Sequence, residues 1–320
     1  MQVSFANKQE TGPHKTKVVT VILNTNRRTD TLACLESLAA SDLDTDGDLV
    51  HEIIVLDNAS TDGSVEAIQA GFPDVQILPL SENLGYAGNN NVGIRAALEQ
   101  GADWVFVLNE DTLLDPHCLR RMVRHGESNA EIGIVGPMVY HLNPPGLIQT
   151  AGGMFGQNLL PYHSGQNELD RGQFPVPRQV DWVSGCSILV RREVVEQVGM
   201  LDERFFYYWE ETEWCLRAGK AGWKVVNVPQ AKLWHKGVQP DYDPSPSVTY
   251  YNTRNRFLML AKHHAPLSAW TANLGRTLRP LLSWTFRPKW RSRRAHRDAL
   301  WHGLVDFLRG HWGPMPANKG

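Results

Sequence analysis

The sequence predicts an α/β fold in which a mostly parallel central sheet is flanked by helices. Runs of β-branched and aliphatic residues at 18–23 and 52–56 are each followed by a polar turn and then by apolar residues at helical spacing. A third apolar run, 104–108, leads directly into the acidic turn 109–111. Strands that alternate with helices imply right-handed crossovers and parallel neighbours. Because ligands of such sheets bind at the carboxyl ends of the strands, the polar turns predict one shared site.

Composition is that of a globular protein. The 320 residues are 42% hydrophobic, enough for one large or two modest domains. No run of about 18 apolar residues occurs and the first 17 residues are polar, so we expect a cytoplasmic protein without a secretory signal. The four cysteines are far apart and form no C-x-x-C pair, which predicts free thiols and argues against a zinc site.

Charge divides the chain into an acidic body and a basic tail. From Lys262 to the end there are eleven basic residues and two acids, a balance of +9, so the preceding part carries −11 of the total of −2. Tryptophans lie among these basic residues at 270, 284, 290, 301 and 312. The combination favours a membrane interface over 267–312, with a helical hairpin packed on the domain and a nucleic-acid site as alternatives. We therefore expect three parts: a disordered leader (1–16), an α/β domain (17–262) and a basic helical extension (263–320).

The stretch 83–93 is dominated by glycine and asparagine. Such residues let backbone N–H groups approach an anion, and a helix is expected from Asn90 to Gln100, so the stretch is either a phosphate-facing loop or an ordinary turn. Further along, a helix is expected over 119–125 and a strand over 132–137. From 143 to 179 the composition predicts loops that can include a hairpin.

Three acids follow a run of aromatics near the end of the predicted domain. Before them, the pattern predicts a strand over 179–192, interrupted by Ser184-Gly185, and a helix over 193–198. Glu210, Glu211 and Glu213 then open another helix, where they either stabilise its N-terminus or include a general base whose pKa the aromatic walls raise. A last short strand is expected over 225–229. His235 follows it as either a structural histidine or a ligand.

In their order these motifs resemble the inverting nucleotide-sugar glycosyltransferases of family 2, which have the GT-A fold, and most specifically the rhamnosyltransferase-like branch. The resemblance covers about residues 17–262. Its pieces are Val19 to Arg27, Asp57 to Ser64, Asn83 to Asn90, Leu108 to Thr112, Ser184 to Cys186, Glu210 to Glu213 with Arg217, Trp234-His235, and Tyr250-Tyr251 to Arg254-Asn255.

The resemblance implies a role for each matching position. Residues implied to bind the donor nucleotide are Asn24, Thr25, Arg27, Asp57, Asn58, Asn83, Gly85, Asn90 and Asn109. Residues implied at the sugar and acceptor pocket are Trp182, Ser184, Gly185 and Trp209. Asp111 is implied to bind Mg²⁺ or Mn²⁺, with His235 as a further metal contact. Glu211 takes the place of the catalytic base, and Glu210 is the alternative.

Two departures from the family pattern affect these implied roles. The first position of the metal element is Asn109 instead of aspartate, so the metal would be held by fewer charges. The usual Glu-Asp pair is Glu210-Glu211, which makes the base one methylene longer.

The resemblance implies transfer of a sugar with inversion. The donor it favours is dTDP-rhamnose, with UDP-hexoses as the alternative, and the acceptor is a cell-surface polysaccharide or lipid-linked glycan at the inner face of the membrane. No nucleic-acid partner is expected. A non-catalytic nucleotide- or glycan-binding protein on the same fold stays open. A nucleotidyltransferase would have a Gly-rich, basic turn after the first strand, where this chain has Asn24-Thr25-Asn26-Arg27.

Overall fold

The computed structural model describes residues 15–42, 47–237 and 242–316. The strands are β1 (Thr16–Asn24), β2 (Leu49–Asp57), β3 (Gln76–Pro79), β4 (Trp104–Asn109), β5 (Thr112–Leu114), β6 (Ile132–His141), β7 (Ile148–Thr150), β8 (Gly153–Phe155), β9 (Pro161–His163), β10 (Arg178–Gln179), β11 (Ser187–Arg191) and β12 (Lys224–His235). The α-helices are α1 (Arg28–Ala39), α2 (Ser64–Gly71), α3 (Gly85–Glu99), α4 (Cys118–Glu127), α5 (Arg192–Val198), α6 (Glu210–Lys220), α7 (Pro246–Lys262), α8 (Leu267–Phe286) and α9 (Arg294–Arg309).

The main sheet has the order β10-β12-β6-β11-β4-β1-β2-β3, with β5 paired to β12 and β7 to β6. The pairs β4-β1, β1-β2, β2-β3 and β12-β6 are parallel, whereas β11 runs antiparallel between β4 and β6. This confirms the predicted α/β fold with a mostly parallel sheet. The polar turns after β1, β2 and β4 consequently meet at one edge, as predicted from the sequence.

The core lies on both faces of the sheet because successive residues of a strand point to opposite sides. Val18 and Ile22 of β1 pack with α1, α2 and α4, while Val19 and Val21 pack with α3, α5 and α6. Burial on both faces explains why β1 and β4 are apolar without alternation.

Helix α3 begins at Gly85, five residues before the predicted start at Asn90, so that prediction was wrong. Its small residues allow close packing: a Cβ on Gly93 would lie 2.3 Å from Val21 Cγ1 of β1. The asparagine side chains bond locally, since Asn83 Oδ1 accepts the Gly85 N–H and Asn89 Oδ1 accepts the Leu84 N–H. Tertiary packing has therefore overridden low helix propensity.

Strand β12 is twelve residues long, whereas the sequence predicted a short strand over 225–229. A register shift between Val228 and Lys232 accommodates Pro229 without ending the strand. The extra length matters for the site because β12 pairs with β5, and His235 lies opposite Thr112. This pairing brings residues 111 and 235 together although they are far apart in sequence.

The segment 143–179 contains β7, β10 and the hairpin β8-β9, which confirms that the predicted loops include a hairpin. The hairpin packs closely on the strand-like segment before β11. A Cβ on Gly153 would lie 1.9 Å from the Trp182 ring, so only glycine fits there.

Helices α7, α8 and α9 pack together around Phe257, Leu260, Ala269 and Phe307. The predicted boundary at 262/263 falls in the turn between α7 and α8. At the other end of the chain, 1–14 of the predicted leader lie outside the described residues, and Thr16 already belongs to β1. Within the parts of the chain that the structure describes, no helix is both long and apolar enough to cross a membrane.

Candidate active site

A cavity of about 580 Å³ opens at the carboxyl ends of β1, β2 and β4. Six of the nine residues expected at the donor nucleotide line it: Thr25, Arg27, Asn58, Asn83, Gly85 and Asn109. Glu110, Asp111 and His235 lie in the same wall. We call this space the donor cavity.

The other three expected donor residues do not line the donor cavity. Asn24 is fully buried and donates to Asp57 Oδ1 at 2.9 Å and to Ser60 Oγ at 3.0 Å. Asp57 in turn accepts the Ser60 N–H. Asn90 is buried in α3 and donates to the Tyr86 carbonyl. These hydrogen bonds fix the turn after β2 and the start of α3 from behind the cavity wall.

Asp111 and His235 are adjacent in the donor cavity, with Asp111 Oδ1 3.1 Å from His235 Nε2. On the other side of the ring, His235 Nδ1 lies 2.8 Å from Gln149 Oε1, so Nδ1 carries a hydrogen and Nε2 faces the carboxylate. Burial acts to lower the pKa of His235, but the charges and hydrogen bonds of Cys186 and Asp111 outweigh it and raise the pKa to about 10. The histidine, together with Arg27, outweighs burial at Asp111 and lowers the pKa of that carboxyl.

A second cavity, of about 510 Å³, adjoins the donor cavity, and Tyr208 lines both. We call it the acceptor cavity. Trp182 and Trp209, two of the four residues expected at the acceptor pocket, line it together with Glu211, while Ser184 and Gly185 do not. Gly185 lies directly behind Glu211, since its Cβ would be 3.2 Å from Glu211 Cγ.

Glu210 and Glu211 differ in their access to the acceptor cavity. Glu210 is buried, lines neither cavity, and its Oε2 has no hydrogen-bond partner among the described residues. Burial raises the pKa of Glu210 well above its usual range, and the charge of Glu211 adds to this effect. Burial also raises the pKa of Glu211, although backbone N–H groups, including that of Gly185, bond its carboxylate and oppose the rise. Of the two acids, Glu211 is the one that can ionise and reach a ligand.

The loop before these acids is strained. Phe206, Tyr208 and Trp209 all have positive φ, at 61°, 69° and 78°. Asn255 of α7 holds the loop because its Nδ2 lies 2.8 Å from each of the carbonyl oxygens of Phe205, Tyr207 and Tyr208. The fully buried Arg254 donates to the carbonyls of Arg204 and Phe205. The Arg254-Asn255 motif therefore positions the aromatic wall and the start of α6.

Tyr86 of the donor cavity contacts the loop that lies behind Glu211. Its hydroxyl donates to the Gly185 carbonyl at 2.6 Å and lies 3.1 Å from Asn109 Oδ1. Burial raises the pKa of Tyr86 well above its usual range, with further contributions from the charges of Glu210 and Glu211. Asn109, the first residue of the acidic turn, is thus connected through Tyr86 to Gly185, which lies behind Glu211.

Several cavity residues were not singled out from the sequence. In the donor cavity they include Tyr207 and Tyr242, and in the acceptor cavity His163, Asn252 and Arg276. The aromatic run before Glu210 was a signal for Tyr207. No sequence signal pointed to His163 or Arg276. They belong to the irregular segment 143–179 and to the basic extension, and only the tertiary structure defines where these segments lie.

Gly85 provides a direct test of the contact between α3 and the strained loop. Its φ is +74°, and a Cβ would lie 2.4 Å from the Phe206 carbonyl oxygen. We expect Gly85→Ala to lower the free energy of unfolding by about 1–3 kcal/mol, from positive φ and from this clash. Gly101→Ala is the matched control, because Gly101 also has positive φ but nothing within 4 Å of its Cβ position. Chemical denaturation should therefore show a larger loss at position 85; equal losses would contradict the clash.

Comparison with known proteins gives a consistent set of similarities. Residues 19–199 match the family model described as glycosyl transferase family 2. The chain is 31% identical to the N-acetylglucosaminyl-diphospho-decaprenol L-rhamnosyltransferase of Mycobacterium tuberculosis, over 72% of this chain and 80% of that protein. It is 30% identical to the dTDP-rhamnosyl transferase RfbF of Shigella flexneri, over 67% of this chain and 72% of that protein.

Among solved structures, the mannosyltransferase PcManGT of Pyrobaculum calidifontis, in complex with GDP-Man and Mn²⁺, is similar with a TM-score of 0.57. The two chains are 15% identical, and the match covers 94% of this chain and 90% of the other. GalNAc-T7, solved with UDP, GalNAc and Mn²⁺, has a TM-score of 0.61 at 15% identity, covering 96% of this chain and 59% of the other. At this level of identity the likeness concerns the fold, which is that of GT-A glycosyltransferases.

Proposed function

Because this chain belongs to glycosyl transferase family 2, we propose that it is a metal-dependent, inverting rhamnosyltransferase that transfers rhamnose from a nucleotide diphosphate to a lipid-linked glycan. The observation that carries the proposal is the pair of adjoining cavities, one with the Asp111-His235 pair and the other with Glu211. This arrangement supports separate spaces for donor and acceptor, with Glu211 as the base in the acceptor cavity.

In the proposed reaction, Glu211 removes the proton of an acceptor hydroxyl in the acceptor cavity. The acceptor oxygen forms a bond to the anomeric carbon as the bond between that carbon and the diphosphate breaks, which inverts the anomeric configuration. The raised pKa of Glu211 suits a general base. Trp182 and Trp209 present apolar surfaces on which a sugar ring can stack.

The residues of the donor cavity fit a divalent cation. Mg²⁺ is commonly bound through one or two carboxylates together with substrate phosphates and water, and Mn²⁺ also accepts imidazole. Asp111 and His235 would hold the ion once His235 Nε2 has given up the proton that faces Asp111, and Gln149 accepts the Nδ1 hydrogen and so keeps Nε2 directed into the cavity. When bound, Mg²⁺ or Mn²⁺ would neutralise charge on the leaving diphosphate. No group of three metal-binding side chains occurs in the described part of the chain, which is consistent with a site completed by the donor.

The names of the two bacterial relatives support the proposed substrates. One uses a dTDP-linked rhamnosyl donor by name, and the other acts on N-acetylglucosaminyl-diphospho-decaprenol. We propose dTDP-rhamnose as the donor, ahead of UDP-hexoses, and a diphosphate-linked N-acetylglucosaminyl lipid as the acceptor.

The proposal is tested by presenting the purified chain with a panel of nucleotide-sugars, with Mg²⁺, Mn²⁺ or a chelator. We expect dTDP-rhamnose to raise the melting temperature in the presence of metal and to be hydrolysed slowly without an acceptor. A UDP-hexose as the only active donor would overturn the choice of donor. No response to any nucleotide-sugar would overturn the enzymatic proposal.

We also propose that residues 263–316 attach the enzyme to the inner face of the cell membrane. Four side chains at intervals of four residues on α8, Leu274, Leu278, Leu282 and Phe286, are 41, 38, 56 and 75% exposed. This apolar row lies beside Arg279 and Arg287, the combination expected at an anionic lipid surface.

Replacing Leu282 and Phe286 together by aspartate should reduce binding to phosphatidylglycerol vesicles about tenfold or more, because it removes apolar contact and adds repulsion. Val176→Asp is the control, since Val176 is 62% exposed outside the extension. Cosedimentation at several salt concentrations measures the effect. Wild-type protein that fails to bind at any salt concentration would contradict membrane attachment.

A further inference from the structure

One arginine that lines the acceptor cavity, and a second one close to it, have no acidic partner among the described residues. Arg276, from α8, lines the acceptor cavity together with Glu211. Arg256, from α7, lies one helical turn beyond the cavity residue Asn252 and donates to Thr277 Oγ1 at 2.6 Å, next to Arg276 in the chain. Within the described residues no carboxylate lies within 4 Å of either guanidinium, whereas Arg27 in the donor cavity is paired with Asp30.

Burial of the Arg256 guanidinium without an anionic partner is energetically unfavourable. Its Nε is buried and has no hydrogen-bond partner in the described part of the chain. Burial, followed by the charge of Arg276, lowers the pKa of Arg256 to about 10, so the two cations lie close enough to repel each other. A buried cation with an unused N–H donor, beside a second cation, is a site whose free energy an anionic ligand would lower.

The C-terminal helices form part of the acceptor cavity and do not merely cover the domain. Asn273 of α8 donates to the carbonyl of Asn158, which lines the cavity. Leu159 packs against Phe257 and Ala269, which belong to α7 and α8. The arginines are therefore fixed relative to the hairpin and to Glu211. Arg276 is two residues from Leu274, with which the exposed apolar row of the same helix begins.

We propose that Arg276 and Arg256 bind the phosphate groups that join the acceptor sugar to its lipid carrier. The inference rests on the proposed function, and it adds the residues that recognise the diphosphate of the proposed acceptor. Guanidinium groups bind phosphate oxygens through paired, charge-assisted hydrogen bonds. The sugar would occupy the cavity near Glu211, the diphosphate would lie on the arginines, and the lipid would leave along the apolar row of α8.

The test compares two acceptor probes that differ only in the diphosphate: octyl-diphospho-N-acetylglucosamine and octyl N-acetylglucosaminide. With wild-type protein we expect the diphosphate probe to have the lower KM. Arg276→Ala should raise KM for that probe by about 10- to 100-fold, the effect of losing a hydrogen bond between charged groups, with kcat within about twofold. The same variant should leave KM for the octyl glycoside unchanged, and Arg276→Lys should restore part of the lost affinity.

Arg171→Ala is the matched control, because Arg171 is an exposed arginine outside the C-terminal helices that lines neither cavity. It should leave KM for both probes unchanged. Arg256→Gln should act in the same direction as Arg276→Ala, and its melting temperature reports whether the fold is retained. An equal KM for the two probes, or an unchanged KM in Arg276→Ala, would overturn the inference.

Calorimetric binding of both probes without a donor separates this inference from the proposed reaction. If no sugar is transferred from any donor but the diphosphate probe still binds more tightly and loses that advantage in Arg276→Ala, the reaction is wrong and the phosphate site stands. If Arg276→Ala instead weakens only binding to phosphatidylglycerol vesicles, the arginine serves lipid headgroups and the inference is overturned.

Discussion

Glu211→Gln should reduce kcat by about 100- to 10,000-fold, the range attributed to a positioned general base. The amide keeps the size of the side chain in the acceptor cavity but cannot accept the proton of the acceptor hydroxyl. Because Glu211 lines the acceptor cavity and not the donor cavity, binding of dTDP-rhamnose with Mg²⁺ should stay near the wild-type value. Single-turnover kinetics with the octyl-diphospho probe, together with donor binding, separates the two effects.

Glu210→Gln is the matched control because the two acids are adjacent and only Glu211 lines the acceptor cavity. Glu210 is buried with an unpaired Oε2, and burial raises its pKa and so favours the neutral acid, which a neutral amide resembles. We expect kcat to fall less than about tenfold. The opposite ranking of the two variants would assign the base to Glu210. Full function in both would favour a non-catalytic binding protein.

The pH dependence of kcat/KM gives an independent check on Glu211. A base must be ionised to act, and the pKa of Glu211 is raised by burial. Activity should therefore be present above this raised pKa and be lost as the pH falls through it, at a higher pH than an exposed glutamate would give. Glu210→Gln should leave this acidic limb nearly in place, since burial favours the neutral form of Glu210 and the amide is neutral as well.

The sequence was sufficient to predict the parts of the fold that depend on local pattern. Continuous apolar runs located β1, β2 and β4, and the polar turns after them were correctly expected at one edge of the sheet. The start of α3 was missed because glycines and asparagines have low helix propensity. In the structure Gly93 and Gly85 allow α3 to pack closely against Val21 and Phe206. Single-residue propensities contain no information on such contacts.

The candidate site was predictable where a motif places a side chain next to a strand end, and less so where distant segments meet. Asp111 follows β4 directly, whereas His235 reaches it only because β12 continues through a register shift and pairs with β5. Arg276 lines the acceptor cavity because α8 packs on the hairpin loop. In the sequence it is one of eleven basic residues in the tail, with nothing to distinguish it from Arg279.

Asp111→Asn should lower metal-dependent kcat/KM by at least about 100-fold, the second large effect that the site predicts. The substitution is isosteric, and the amide oxygen can still accept a hydrogen bond from His235, so the fold should be retained. The charge that would hold the ion is removed, however, and the neighbouring Asn109 supplies none in its place. When turnover is measured across a Mn²⁺ titration, the Mn²⁺ concentration that gives half-maximal turnover should be much higher than for wild type, or turnover should not reach saturation.

The two large effects separate the roles of the two cavities when both variants are examined by the same binding measurement. Mn²⁺ bound in the presence of dTDP, followed by electron paramagnetic resonance, should be near the wild-type level in Glu211→Gln and strongly reduced in Asp111→Asn. This difference is expected because Asp111 and His235 line the donor cavity and not the acceptor cavity, whereas Glu211 lines the acceptor cavity and not the donor cavity. Normal Mn²⁺ binding in Asp111→Asn would require other ligands for the ion, and equal loss in both variants would mean that metal and base belong to one site.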